Sequence, residues 1–257
     1  MTFWEHLTEL FVHLRRILLV FVLATIAIMV VPISFSGDIL TYQTIATLVI
    51  QTMQDQFLTD QIVLIPITFF APLEVYFFIS LILGAAVSMP VASYEIYKFF
   101  NPALHPNEKN FAAKFIASFI GLFAFGLVLG YLFVVPMTFQ TILLFSNLTN
   151  LSLIYHFTEF FSMAGMILLV CGLLFTFPIY VYLLVKVGVI KTSYLTKNRK
   201  YMYGLILVAI AVVDPDPSLI TELITFLPIV ILMEISILFA KRLEKKMSEE
   251  AHDESTT

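Results

Sequence analysis

The chain of 257 residues is 60% hydrophobic and only 12% charged, and its formal net charge is −4 at pH 7. With a mean hydropathy of +0.97, this composition excludes an ordinary soluble domain and predicts an integral membrane protein. The single cysteine, Cys171, excludes an intrachain disulfide.

The apolar stretches predict an all-α, polytopic membrane protein with six transmembrane helices. They cover residues 17–37, 75–94, 115–137, 160–185, 201–213 and 219–240. We predict that the last two helices are short, because the fifth stretch reaches only about 20 Å, against a hydrocarbon core of about 30 Å. Residues 1–240 then form a single six-helix transmembrane domain. Residues 241–257 are predicted to be a polar tail whose end is disordered.

Residues 38–72 alternate short apolar runs with polar side chains. Apolar residues recur there every three or four positions, at Ile39, Tyr42, Ile45, Val49 and Met53. This spacing predicts an amphipathic helix outside the bilayer.

The third span contains a pair of glycines one helical turn apart, Gly126 and Gly130. Small residues at this spacing let another membrane helix approach closely. We therefore expect a close helix contact at this position, although glycine is also common in membrane helices generally.

All 14 Lys and Arg residues fall on one side of the predicted spans. They precede the first span, flank the loop between the second and third, lie between the fourth and fifth, and follow the sixth. Residues 38–72, 138–159 and 214–218 contain none. Since cytoplasmic loops are enriched in Lys and Arg, both termini and the loop after the second span are predicted to be cytoplasmic, in a cell inner membrane.

The loop between the second and third spans contains a proline-rich motif. Residues 99–104 read Phe-Phe-Asn-Pro-Ala-Leu, and Glu108 follows four positions later. Pro102 fixes its own φ and stiffens the loop, while Glu108 stands where the next helix would begin, near the positive end of the helix dipole. An interfacial turn with aromatic anchors would explain the same residues.

A second motif, His-Leu-Thr-Glu-Leu at residues 6–10, precedes the first span. Together the two motifs resemble the TatC family, the polytopic receptor of the twin-arginine protein translocase. The resemblance continues at residues 69–72, 125–136 and 214–217 and at Pro178, Glu222, Pro228 and Glu234. Two positions depart from the family pattern: Phe11 stands where Arg is usual, and Thr176 stands where many members have an acid.

This resemblance implies a receptor and core subunit of a twin-arginine translocase, with no enzymatic activity. Such a subunit would bind the twin-arginine signal peptides of folded proteins at its cytoplasmic face, through Glu9, Glu108, Phe99, Pro102 and Leu104. It would assemble the export pore, as an oligomeric complex in membrane lipid, with small single-span partners similar to TatA and TatB. The resemblance also implies that the transmembrane proton gradient supplies the energy.

Two carboxylates suit a twin-arginine ligand, because each guanidinium group offers a rigid fork of donors to one carboxylate. Glu9 could equally be a helix-start acid, as could Glu5 one turn before it. Within the predicted spans, Thr176, Glu222 and Glu234 are candidate polar or partner-contact positions, since ionisable groups in a membrane are costly and often functional.

Other function classes have weaker support. A small-molecule or ion transporter is the alternative, because Pro90 and Pro178 could interrupt spans two and four, but the halves show no convincing repeat. The hydrolase motifs Gly-x-Ser-x-Gly and His-Glu-x-x-His are absent, as is a glycine-rich phosphate loop. The five histidines are predicted to lie outside the membrane cores, so we expect no metal or other cofactor. No nucleic-acid partner is expected.

Overall fold

The computed structural model describes residues 3–35, 42–57, 63–100, 109–149, 154–213 and 219–254. Five helical segments within these ranges are long and apolar enough to cross a membrane. They are Leu7–Val30, Ala71–Phe99, Ala113–Thr149, Phe157–Lys186 and Glu222–Lys245. The prediction of an all-α, multi-pass membrane protein is confirmed.

The helices are α1 Phe3–Val30, α2 Ile45–Phe57, α3 Ala71–Phe100, α4 Lys109–Leu129, α5 Val135–Thr149, α6 Phe157–Lys186, α7 Thr192–Lys197, α8 Arg199–Val213 and α9 Leu219–Glu254. The described residues also contain four short strands. Of these, β1 Pro32–Phe35 pairs antiparallel with β2 Tyr42–Thr44, and β3 Val63–Ile65 pairs parallel with β4 Ile154–His156. The chain divides into two compact units, one formed by Met1–Phe99 with Val135–Leu169 and the other by Phe100–Val134 with Val170–Thr257.

In the first unit, α1 and α3 pack closely at a small residue. A Cβ atom at Gly84 of α3 would collide with Thr25 of α1, so only glycine permits this approach. At the end of α1, the Tyr76 hydroxyl donates a hydrogen bond to the Met29 carbonyl oxygen and lies 3.1 Å from Thr44 Oγ1. These contacts fix α3 along α1.

The amphipathic helix predicted within residues 38–72 is present as α2, but it begins later than the periodicity suggests. Ile39 lies outside the described residues, and Tyr42 belongs to β2. The buried face of α2 contains Met53, as predicted, together with Ala46 and Phe57, whereas Ile45 is exposed.

In the second unit, Gly126 of α4 packs directly on α6. A Cβ atom at this position would lie 2.6 Å from the Cys171 carbonyl oxygen and 2.9 Å from Phe175 Cβ. The close helix contact expected at Gly126 is therefore present. Beyond it, α6, α8 and α9 share a buried cluster made of Phe175, Ile206, Ile210 and Ile229.

The third apolar segment is longer than the predicted 115–137, because α4 and α5 are joined by a π-helical turn at Gly130–Val134. Pro136 lacks an N–H and its ring crowds the carbonyl group four residues earlier. A local widening of the helix relieves such crowding without ending the helix.

Of the two helices predicted to be short, α8 is short at 15 residues, but α9 extends over 36 residues. Residues 241–254, in the segment predicted to be a polar tail, continue α9 as helix. Glu244 explains part of this extension, since its carboxylate accepts hydrogen bonds from the Thr192 backbone N–H, at 3.2 Å, and from the Thr192 hydroxyl. Good helix-forming residues follow it.

Candidate functional site

A cleft of about 630 Å³ opens in the first unit, along the N-terminal half of α1. Its lining consists of Trp4, Thr8, Glu9, Val12, His13 and Arg16 from α1, with Lys98 from the last turn of α3. The α1 residues recur at intervals of three and four, so they share one face of the helix. The cleft is therefore built on two regular helices.

Glu9 is half-buried in this cleft, and Trp4 lies five residues before it with 75% of its surface exposed. The Thr8 hydroxyl donates a hydrogen bond to the Trp4 carbonyl oxygen at 2.9 Å and so turns back onto its own helix. The site thus offers a carboxylate beside a large exposed aromatic ring.

His13, which lines the cleft, belongs to a buried pair of ionisable side chains from two helices. His13 of α1 and Glu95 of α3 are each only 6% exposed, and His13 Nδ1 lies 2.5 Å from Glu95 Oε2. Arg16 approaches the same carboxylate oxygen through Nη1 at 3.5 Å, with its side chain 51% exposed. A buried carboxylate needs such partners, because an unpaired charge away from water is costly.

Phe99 extends this cluster toward the end of α3. Its ring meets the His13 ring edge-on, with centroids 6.0 Å apart and planes inclined at 75°. The structure therefore places two of the predicted site residues, Glu9 and Phe99, around one histidine. The other three, Glu108, Pro102 and Leu104, lie outside the described residues.

Charges of both signs surround the cleft. Glu9 and Glu95 contribute carboxylates, whereas Arg16 and Lys98 contribute cations. Glu95 is paired with His13 and Arg16, whereas Glu9 lines the cleft itself. A cationic ligand bound here would need a further carboxylate to offset the local cations.

The sequence analysis missed His13, Glu95 and Arg16. The expectation that the histidines lie outside the membrane cores is wrong for His13, which is buried in a helix apolar enough to span. One signal was present in the sequence, since His13 and Arg16 are three residues apart and Glu95 interrupts an apolar run. Nothing in the sequence showed that these residues, 82 and 79 positions apart, would meet.

Three predicted polar positions within the spans lie in the second unit and have structural partners or helix-end positions. Thr176 is fully buried, and its hydroxyl donates to the Leu173 carbonyl oxygen at 2.6 Å. Glu234 accepts from Arg199 Nη1 at 3.0 Å and from the Tyr203 hydroxyl, and so links α9 to α8. Glu222 lies in the first turn of α9, where a carboxylate interacts favourably with the positive end of the helix dipole.

Among the described residues, no group of three or more His, Cys, Asp or Glu side chains could hold a metal ion. His156 and Glu159 approach to 3.2 Å, but this pair is exposed and has two members only. The chemistry available in the cleft is therefore ion pairing, hydrogen bonding and aromatic contact.

The chain is similar to known proteins over most of its length. A family model for "TatC: Sec-independent protein translocase protein" matches residues 5–228. The Sec-independent protein translocase protein TatC of Carboxydothermus hydrogenoformans is 30% identical over 240 residues, which cover 92% of this chain and 94% of the relative. TatCy of Bacillus subtilis is 28% identical over 246 residues, which cover 96% of this chain and 91% of the relative.

This chain is also similar in fold to solved structures. A crystal structure of a twin-arginine translocase receptor, TatC, superimposes with a TM-score of 0.72 at 26% identity and covers 93% of this chain and 99% of that chain. A second crystal structure of a TatC receptor, in DDM, gives a TM-score of 0.74 at 26% identity, covering 91% and 99%. The likeness therefore extends to sequence, length and fold together.

Proposed function

The chain belongs to the TatC family of Sec-independent protein translocase proteins, and from that membership we propose that it is the subunit that binds twin-arginine signal peptides. It is a multi-pass membrane component of a protein translocase. The alternative of a small-molecule or ion transporter is set aside, because family membership assigns the chain to protein transport. The finer proposal concerns where and how the signal is held.

The observation that carries this proposal is the position of Glu9 in the α1 cleft. The cleft combines a half-buried carboxylate with the exposed ring of Trp4 on a rigid helix. A carboxylate binds an arginine through parallel hydrogen bonds, and an aromatic face attracts a guanidinium group. Partial burial strengthens both interactions relative to an open surface.

A pair of arginines requires a second acid. Glu95 is held by His13 and Arg16, so it is a poor candidate for the second guanidinium group. Glu108 is the acid that we assign to this role, with Phe99, Pro102 and Leu104 forming the wall beside it. Phe99 supports the assignment, because it lies in the last turn of α3, next to Lys98 of the cleft, and its ring meets that of His13.

We place the signal site on the cytoplasmic side of the inner membrane, with six transmembrane helices and both termini in the cytoplasm. The support is the segregation of all 14 Lys and Arg residues to one side of the predicted spans. In this arrangement α8 is the fifth transmembrane helix and is shorter than the usual hydrocarbon thickness.

The same proposal includes partners and an energy source. Small single-span proteins of the TatA and TatB kind would complete the export pore in an oligomeric complex. The subunit itself would carry out no catalytic step, and the proton gradient would drive transport. The absence of hydrolase and nucleotide-binding motifs from the sequence supports this division of roles.

Site-specific photo-crosslinking in membranes tests the proposal. A crosslinker at Val12, in the cleft, should capture a twin-arginine signal peptide, while one at the exposed Leu148 of α5 should not. A peptide with both arginines replaced by lysine is the second control, because lysine lacks the planar fork of donors. Equal capture of the two peptides at Val12, or capture at Leu148 alone, would contradict the assignment.

A further inference from the structure

A second concave surface lies wholly within the second unit, far along the sequence from the α1 cleft. It is an apolar groove of about 710 Å³ between α4, α6 and α9. Its lining consists of Lys114, Phe115, Ser118, Gly121 and Leu122 from α4, Pro178, Ile179 and Tyr182 from α6, and Leu232, Ile235, Ser236 and Phe239 from α9. We propose that this groove binds one anionic phospholipid, with the headgroup at Lys114 and an acyl chain along the groove.

The sequence produces the groove through the spacing of its lining residues. On each helix these residues recur at intervals of three and four, so each helix contributes a single stripe. Gly121 leaves the α4 stripe hollow, since a Cβ atom there would find no heavy atom within 4 Å. The missing side chain therefore leaves open space on the α4 side of the groove.

The groove has one polar end and one apolar end. Lys114 lies two turns before Leu122 on α4, and Tyr182 and Phe239 line the same end of the antiparallel partners α6 and α9. Lys241 and Arg242 come two and three residues after Phe239 on α9, and both are exposed. At the other end Leu122 and Leu232 offer only hydrocarbon. A ligand with a negatively charged head and an apolar tail matches this polarity.

The surroundings of the groove narrow the class of ligand. All three helices belong to segments that are long and apolar enough to cross a membrane, so the neighbouring molecules are lipids. Basic pockets between membrane helices bind anionic headgroups on the cytoplasmic side. The hydroxyl groups of Ser118 and Ser236 lie within the groove and add hydrogen-bonding capacity for a phosphate or glycerol group.

The length of the groove favours a lipid over a partner helix. The groove extends about 12 Å along α4, from Lys114 to Leu122, at about 1.5 Å per residue. A partner helix that spans the membrane would need a contact surface about 30 Å long. The volume of about 710 Å³ lies within the range of small-molecule pockets. An acyl chain is already surrounded by hydrocarbon in the bilayer, so moving it into the groove contributes little binding free energy. Selectivity between lipids must therefore come from the charge of the headgroup.

The proposal goes beyond signal recognition and can be tested separately from it. Native mass spectrometry of the full chain in detergent, titrated with phosphatidylglycerol or with phosphatidylcholine of the same acyl chains, counts bound lipids directly. One phosphatidylglycerol should bind about fivefold or more tightly than phosphatidylcholine, as expected for one lysine near a headgroup. Lys114→Gln should remove this preference, whereas Lys200→Gln, at an exposed lysine outside the groove, should retain it.

A second pair of variants distinguishes lipid binding in the groove from general attraction of lipid to surface charge. Gly121→Phe should fill the hollow and abolish the tightly bound copy of either lipid. Gly204→Phe is the matched control, because Gly204 is also a helical glycine with no heavy atom within 4 Å of its Cβ position. Unchanged lipid counts in Gly121→Phe, or equal losses in the two lysine variants, would overturn the proposal. Loss of a co-purifying single-span protein from Gly121→Phe with lipid binding unchanged would also overturn it and assign the groove to a helix.

Discussion

His13 Nδ1 lies 2.5 Å from Glu95 Oε2, and both side chains are buried although the residues are 82 positions apart. This contact joins the N-terminal half of α1 to the C-terminal part of α3, and His13 lines the cleft that contains Glu9. Arg16 adds a longer contact to the same carboxylate oxygen. The position of the cleft therefore depends on an interaction between side chains that would not themselves bind the signal.

We expect Glu95→Gln to destabilise the protein more than it alters the cleft surface. The substitution keeps the shape but removes the charge that His13 and Arg16 share, and weakening a buried hydrogen bond of this kind costs about 1 to 3 kcal/mol. Thermal unfolding of the purified protein in detergent measures the effect. The His13→Gln/Glu95→Gln double variant should lose less than the sum of the single variants, because the residues are in contact.

The chain offers an exposed histidine–glutamate pair as the control for this experiment. His156 and Glu159 lie 3.2 Å apart, with side chains 47% and 74% exposed. Glu159→Gln should change the free energy of unfolding by no more than about 0.5 kcal/mol. Equal destabilisation by Glu95→Gln and Glu159→Gln would show that burial does not strengthen the first pair.

The membrane class and the order of the helices could be predicted because they depend on local composition. Uncharged runs such as residues 17–37 and 160–185 are long enough to identify spans without knowledge of any contact. The two motifs directed attention to Glu9 and Phe99, which lie around His13 in the structure. The confirmed prediction of an all-α, multi-pass membrane protein rested on information of this local kind.

The remaining features depend on contacts between distant residues. The pairing of Glu95 with His13 could not be read from either helix alone. The helical conformation of residues after 240 depends in part on Glu244 meeting Thr192, 52 positions earlier, whereas the polar composition of this segment predicted a tail. Periodicity likewise placed the amphipathic helix too early, because Tyr42 pairs with Phe35 in a strand.

Gly126→Ala should destabilise the second unit. The added methyl group would lie 2.6 Å from the Cys171 carbonyl oxygen, and backbone atoms cannot move aside easily. Overpacking of this kind typically costs about 1 to 3 kcal/mol. Gly204→Ala is the control, since its methyl group meets nothing within 4 Å and alanine favours a helix by roughly 0.8 to 1 kcal/mol over glycine. The thermal unfolding temperature should therefore fall in Gly126→Ala and rise in Gly204→Ala. A shift of both variants in the same direction would contradict the packing argument.

Glu234→Gln should weaken the contact between α8 and α9 only slightly and leave protein export intact. Glu234 holds Arg199 and Tyr203, but the side chains of Glu234 and Arg199 are 31% and 38% exposed. Ion pairs with such access to solvent contribute about 0.2 to 1 kcal/mol. Export of a twin-arginine substrate and thermal unfolding, measured on the same variant, separate the two roles. Loss of export without loss of stability would assign Glu234 to partner contact instead.

Six transmembrane helices with cytoplasmic termini predict a specific labelling pattern. In a background where Cys171 is replaced by Ser, a cysteine at Ser152 should react with an impermeant thiol reagent in intact cells. A cysteine at Ser193, which is exposed on α7, should react only after the membrane is permeabilised. Labelling of Ser193→Cys in intact cells would reverse the orientation that the 14 cations support.

Glu9→Gln and Glu108→Gln should each abolish most signal binding and export while the protein remains folded in the membrane. Glutamine keeps the size of the side chain but offers no negative charge to a guanidinium group. An exposed pair contributes about 0.2 to 1 kcal/mol, and a water-excluded charge pair costs about 2 to 5 kcal/mol when one partner is removed. Because Glu9 is half-buried in the cleft, we expect a loss of affinity of about tenfold or more for a twin-arginine peptide.

Glu5→Gln is the matched control for that experiment, because Glu5 carries the same charge and lies one helical turn before Glu9 on α1. It should change crosslinking of the signal peptide, and the export rate, much less than Glu9→Gln does. A twin-lysine peptide should bind the unchanged protein weakly and lose little further affinity in Glu9→Gln, since lysine cannot make the bidentate contact. If both Glu9→Gln and Glu108→Gln export a twin-arginine substrate at the normal rate, these acids serve only as helix-start residues and the signal must bind elsewhere.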